Sequence, residues 1–139
     1  MDKLPIPPVE AIFYEDDKVY ACLASYPLTH GHSIVVWKNG VVPDLARLNC
    51  RDYDYLMNVV DAARDVLIKF LGVEKVYLLY MDEIKQVHWH LVPRYNEKGI
   101  NVLLHEPGLL KDFALAKSLR SSFVLGLKQH PEITTVMQS

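Results

Sequence analysis

The segment from about residue 52 to 71 constrains the fold of this chain more than any other. Tyr53, Leu56, Met57, Val60, Ala63, Leu67, Phe70 and Leu71 recur there at helical spacing. They make one apolar face that a helix must bury against something. Gly72 follows where a C-cap glycine belongs.

β-rich runs lie on both sides of this helix. Residues 11–14 and 18–25 flank Glu15-Asp16-Asp17, good turn chemistry, and read as a hairpin. In its second arm Val19, Ala21 and Leu23 alternate with Lys18, Tyr20 and Cys22. Residues 32–37 (HSIVVW) are nearly all apolar and read as a central strand. Residues 43–48 suggest a short helical turn. Residues 74–81 and 86–92 read as a fourth and a fifth strand, antiparallel across the turn at 82–85. Residues 95–107 read as a loop. Leu109, Phe113, Ala116, Leu119, Phe123 and Leu127 predict a second amphipathic helix over 109–128. The order β-β-β-α-β-β-α implies an α+β domain: a five-stranded antiparallel sheet with two main helices packed on it. We expect one domain over 1–139, with its core at 11–95 and a C-terminal helical extension at 108–130. A small open sheet has exposed edges, so a homodimer is expected to cover one of them.

At 139 residues the chain can build one domain with a real core. Half of its residues are apolar and the formal net charge is −2, which offers no strong field for nucleic acid or an acidic membrane. No apolar run approaches the roughly 20 residues of a membrane span. The proline-rich start, MDKLPIPPVEAIF, lacks the apolar stretch of a signal peptide. Cys22 and Cys50 form no paired motif. A reducing, cytoplasmic setting is therefore expected.

The chemistry concentrates in Gln86-Val87-His88-Trp89-His90-Leu91-Val92-Pro93-Arg94-Tyr95. On a strand, His88 and His90 share one face, while Val87, Trp89 and Leu91 turn to the other, where Trp89 is expected in the core. Two strand histidines can simply be surface residues. With His32 they could instead hold a metal, although a catalytic site needs about three ligands plus water. A third reading is nucleophilic attack on phosphorus, in which one neutral imidazole forms a phosphoimidazole and the other donates to a phosphate or leaving-group oxygen. A strand carbonyl can hold the ring's other N–H and so fix its tautomer. The attacking ring must be uncharged and is expected to open on a cleft.

Three pieces of the chain resemble the histidine triad (HIT) superfamily of nucleotide hydrolases and transferases. They are Glu15-Asp16-Asp17 before a β-run, Tyr26-Pro27-Leu28-Thr29-His30-Gly31-His32 followed by Ser33-Ile34-Val35-Val36, and the segment from Gln86 to Arg94. The likeness spans about two-thirds of the chain, from Ile12 to Tyr95. It implies that His88 attacks the α-phosphorus of a nucleotidyl substrate, such as a dinucleoside polyphosphate or a nucleoside phosphoramidate. By the same likeness His90 would bind phosphate or assist the leaving group, and His32 would set the orientation or charge of the nucleophile. Gln86, Lys85 and Arg94 become candidate substrate contacts. No cofactor is implied, nor a catalytic metal, and family members generally act as dimers.

The sequence departs from the family at three places. The first triad position is Gln86, which cannot carry charge. Ala24 stands where many members have an Asp or Asn for the ribose hydroxyls. The loop Met81-Asp82-Glu83-Ile84-Lys85 is short and partly acidic where members are usually glycine-rich. These departures keep two rival readings open: a nucleotide-binding protein without turnover, and a metal-dependent hydrolase using His32, His88 and His90.

Overall fold

The computed structural model describes residues 3–126. Its elements are strands β1 (Ile12–Glu15), β2 (Val19–Leu23) and β3 (Ser33–Trp37), helix α1 (Cys50–Leu71), strands β4 (Lys75–Tyr80) and β5 (His88–Arg94), and helix α2 (Ala114–Ser122). Short 3-10 turns cover Val9–Ala11, Leu45–Arg47 and Gly99–Leu104, the last inside the segment expected to be a plain loop.

The first hairpin closes on Asp16. One carboxylate oxygen accepts the backbone N–H groups of Lys18 and Val19, at 2.8 and 2.9 Å. The other accepts the hydroxyl of Tyr14 at 2.7 Å and that of Tyr55, which comes from α1. One side chain thus shapes the turn and ties it to the helix. Burial pushes the Asp16 carboxyl up, but the hydroxyls of Tyr14 and Tyr55 and the two backbone donors hold it below the ordinary value.

Helix α1 begins two residues earlier than the apolar pattern indicates. Asn49 caps it by accepting the Asp52 N–H at 2.8 Å. Gly72 ends it in the left-handed conformation, φ 69°, with its N–H on the Ile68 carbonyl. The buried stripe runs through Leu56, Val59, Val60, Ala63, Val66 and Leu67. Tyr53 and Phe70, at the margins of the expected face, are 39 % and 49 % exposed.

All five strands join one antiparallel sheet in the order β1-β2-β3-β5-β4. β5 is therefore interior, between β3 and β4. Residues directly opposite in a ladder share a face. Tyr20 faces Val36 and Val36 faces His88; Cys22 faces Ile34 and Ile34 faces His90. All five residues of β2 are buried, so the in–out alternation expected there is overridden by cover on both faces.

The second helix is shorter than its apolar pattern predicts. Leu110 gives its N–H to the Ser25 carbonyl instead of a helical partner. Asp112 accepts from the Ala114 N–H, where the helix starts. After Ser122 the chain turns extended at Phe123, whose ring stacks on Tyr14 at 4.6 Å. Tertiary stacking there outweighs continuation of the helix. Leu127, Lys128 and the rest of the expected C-terminal extension lie outside the described residues. Among the described residues no helix is long and apolar enough to cross a membrane.

Candidate active site

The loop before β3 delivers His32. Gly31 sits at φ +88°, and a Cβ there would stand 2.6 Å from the Leu71 side chain, so only glycine fits without displacement. The Thr29 hydroxyl binds the Pro93 carbonyl at 2.8 Å, and Tyr95 holds the His30 carbonyl at 2.6 Å. The loop is thereby fastened to the far part of β5. His30 itself is exposed.

The ladder between β3 and β5 then brings three imidazoles together. His32 Nε2 lies 3.1 Å from His90 Nδ1, and the His88 and His90 rings meet edge-on with centroids 5.2 Å apart. Their tautomers follow from partners that can play only one role. The Leu28 backbone N–H must donate, and it points at His32 Nδ1 from 3.0 Å. His32 Nδ1 is therefore an acceptor, and its proton sits on Nε2. That proton goes to His90 Nδ1, which leaves the His90 proton on Nε2. The Gln86 backbone carbonyl must accept, and it lies 2.8 Å from His88 Nδ1. The His88 proton is thus on Nδ1 and its Nε2 lone pair is free.

Electrostatics supports the neutral forms. Burial lowers His32 from 6.5 to about 4, with His90 adding to the effect. Burial likewise lowers His90 to about 4, with His88 beside it. His32 and His90 are thereby held uncharged near neutral pH.

Two features differ from expectation. His88 is only 5 % exposed, so the ring does not open broadly on a cleft. It shares its covered face with Tyr20 and Val36, both buried. Trp89 is half-buried rather than fully in the core; it packs on Tyr80 at 5.1 Å, and its indole N–H has no hydrogen-bond partner among the described residues.

Of the three candidate substrate contacts, Gln86 adjoins His88 through its backbone carbonyl, while Arg94 lies at the far end of β5. The Gln86 amide is engaged at both ends, by the Leu4 N–H at 2.9 Å and the Trp37 carbonyl at 3.2 Å. It is a structural tie, and nothing in its sequence context signals a partner 82 residues away. Arg94 pairs with Glu74 at 3.2 Å. It lies six positions along β5 from His88, roughly 20 Å. Lys85 is exposed in the turn before Gln86 and keeps a free reach. Ala24, at the position of the family's ribose contact, is buried and brings no polar side chain. His105 lies in an exposed pair with Glu97.

A metal bound by the three histidines finds little support, because His32 and His90 turn nitrogens toward each other. Among the described residues no group of three or more His, Cys, Asp or Glu side chains is arranged to hold an ion.

The HIT domain profile matches residues 9–97, well over half of the chain. This chain belongs to the HIT domain family. An uncharacterised 13.1 kDa HIT-like protein of Mesomycoplasma hyorhinis is 38 % identical over 94 residues, which cover 62 % of this chain and 82 % of that protein. Among solved structures, the C. elegans NitFhit protein shares the fold at TM-score 0.66 and 22 % identity; the match covers 83 % of this chain but only 28 % of that one. A Bartonella henselae Hit-like protein involved in cell-cycle regulation matches at TM-score 0.68 and 19 % identity, over 81 % of this chain and 86 % of that one. The diadenosine triphosphate hydrolase of Plasmodium falciparum matches at TM-score 0.61 and 13 % identity, over 84 % and 78 % of the two chains. At these identities the solved structures speak for the HIT fold alone.

Proposed function

We propose that this HIT protein is a nucleotide-processing hydrolase or nucleotidyltransferase acting at the α-phosphorus of a nucleotidyl substrate. One observation carries the reading: the Gln86 carbonyl holds His88 Nδ1–H, so that the lone pair falls on Nε2. His88 Nε2 attacks phosphorus, the bond to the leaving group breaks, and a nucleotidyl-His88 intermediate forms. The His90 Nε2–H donates to a phosphate oxygen or to the departing atom, and His32 keeps that proton on Nε2. Water then attacks phosphorus and His88 departs as neutral imidazole. The scheme requires substrate, and then water, to reach Nε2 of a ring that is only 5 % exposed. Lys85 is the candidate phosphate contact in solution-facing position. No cofactor takes part.

The same reading places catalysis in one domain with its core at 11–95, in the cytoplasm. It also includes a homodimer that covers an open edge of the sheet, β1 or β4. Size-exclusion chromatography with light scattering checks that assembly.

The decisive experiment is His88→Ala assayed on adenosine phosphoramidate and a dinucleoside polyphosphate. Turnover falls by about 10³-fold or more while the variant still folds cooperatively. A wild-type rate in that variant removes His88 as nucleophile. The buried Ala24 favours one rival, a nucleotide binder without turnover. Rapid mixing separates them: a catalyst releases about one equivalent of leaving group in a burst, and a binder releases none.

A further inference from the structure

We propose that Gln86 is a positioning residue for His88, acting through its own backbone carbonyl, and that the N-terminal segment is the other half of the device. This rests on His88 as the nucleophile. Every polar group of Gln86 has a partner. Its backbone N–H binds the Ile84 carbonyl at 2.7 Å, and its backbone carbonyl takes His88 Nδ1–H at 2.8 Å. Its amide oxygen accepts from Leu4 N–H, and its amide nitrogen donates to the Trp37 carbonyl. The side chain works as one more rung of the ladder, next to the last backbone bond there, Trp37 N–H to Val87 O at 2.9 Å.

The physical consequence concerns one carbonyl. Gln86 lies just outside β5, beyond the regular ladder and next to an exposed turn. A residue in that place is free to rotate its peptide unless something fixes it. The two amide bonds fix it from opposite sides, against β3 and against residue 4. The carbonyl they immobilise selects the His88 tautomer, and that tautomer decides whether Nε2 carries a lone pair or a proton. A glutamine at this position thus replaces a ring by a clamp, and the proline-rich segment around Leu4 becomes part of the reactive centre without touching substrate.

The test uses the full chain, ¹⁵N-labelled, and two substitutions that cut the clamp separately. Gln86→Met keeps the shape and removes both amide bonds. Leu4→Pro removes the N–H along with the leucine side chain; residue 5 is already proline, which favours extended backbone before it. Leu4→Ala keeps the N–H and controls for lost side-chain packing. Long-range ¹H–¹⁵N spectra, with His88→Ala for assignment, read the ring tautomer whether or not any nucleotide is turned over.

Wild type and Leu4→Ala show His88 protonated on Nδ1 alone. In Gln86→Met and Leu4→Pro the two ring nitrogens move toward a common shift. With adenosine phosphoramidate, kcat falls about five- to tenfold in both variants and KM stays within about twofold. Leu4→Pro adds nothing further in the Gln86→Met background. Unchanged nitrogen shifts in both variants overturn the proposal, and so does a changed tautomer with an unchanged kcat. If wild type turns over no substrate at all, the nucleophile reading fails, and the spectra still decide whether the clamp sets the ring. Should Gln86→Met not fold, Leu4→Pro decides alone.

Discussion

At the scale of single residues, the sequence was most legible where chemistry needs a rare side chain. His32, His88 and His90 stand out by type and spacing, and the structure brings them within hydrogen-bond and ring contact. What sets their protons was not legible, because it is done by groups every residue has: the Leu28 N–H and the Gln86 carbonyl. Gln86 and Arg94 looked like substrate contacts because their side chains suit that work, yet both are engaged by distant protein partners. Gly31 is a residue whose role is entirely conformational. Gly31→Ala combines a penalty for positive φ with a clash against Leu71, and it destabilises the protein by about 2 kcal/mol or more. Urea denaturation measures this, and a variant as stable as wild type contradicts the tight fit seen beside Leu71.

Elements were legible in proportion to their periodicity. The apolar stripe of α1 is long and regular, so its existence and its glycine end follow from the sequence, while its start is set by the Asn49 cap. α2 is the opposite case. Its pattern continues past Ser122, but Phe123 leaves the helix to stack on Tyr14. The β4–β5 hairpin was readable from its turn; the insertion of β5 beside β3 was not, since local patterns carry no information about which strands pair at a distance. Asp16 joins two elements and gives a test at this scale. Asp16→Ala strips four donors of their acceptor and costs about 2 kcal/mol, seen as a lowered urea midpoint. Tyr55→Phe removes one of those bonds and costs about half as much. Equal losses in the two variants would mean that the helix tie, not the turn, is what Asp16 supplies.

For the whole molecule, the buried neutral histidines link folding to pH. Folded His32 and His90 titrate near 4, against an ordinary 6.5. Between those values the unfolded chain binds more protons than the folded one, so stability is fully present above about pH 6.5 and declines as pH falls toward 4. His32 alone contributes a change on the order of 3 kcal/mol across that window. Urea titrations at a series of pH values show a slope that flattens in His32→Gln; an identical slope in that variant assigns the acid sensitivity elsewhere. The sheet order has a further outcome. His32 and His90 meet across 58 residues of chain, with all of α1 between them. Such distant pairing is slow to arrive, because the intervening loop must close first. The three rings therefore come into register only on a polypeptide whose long helix is already in place and whose central ladder has closed, so a half-made copy cannot present them together.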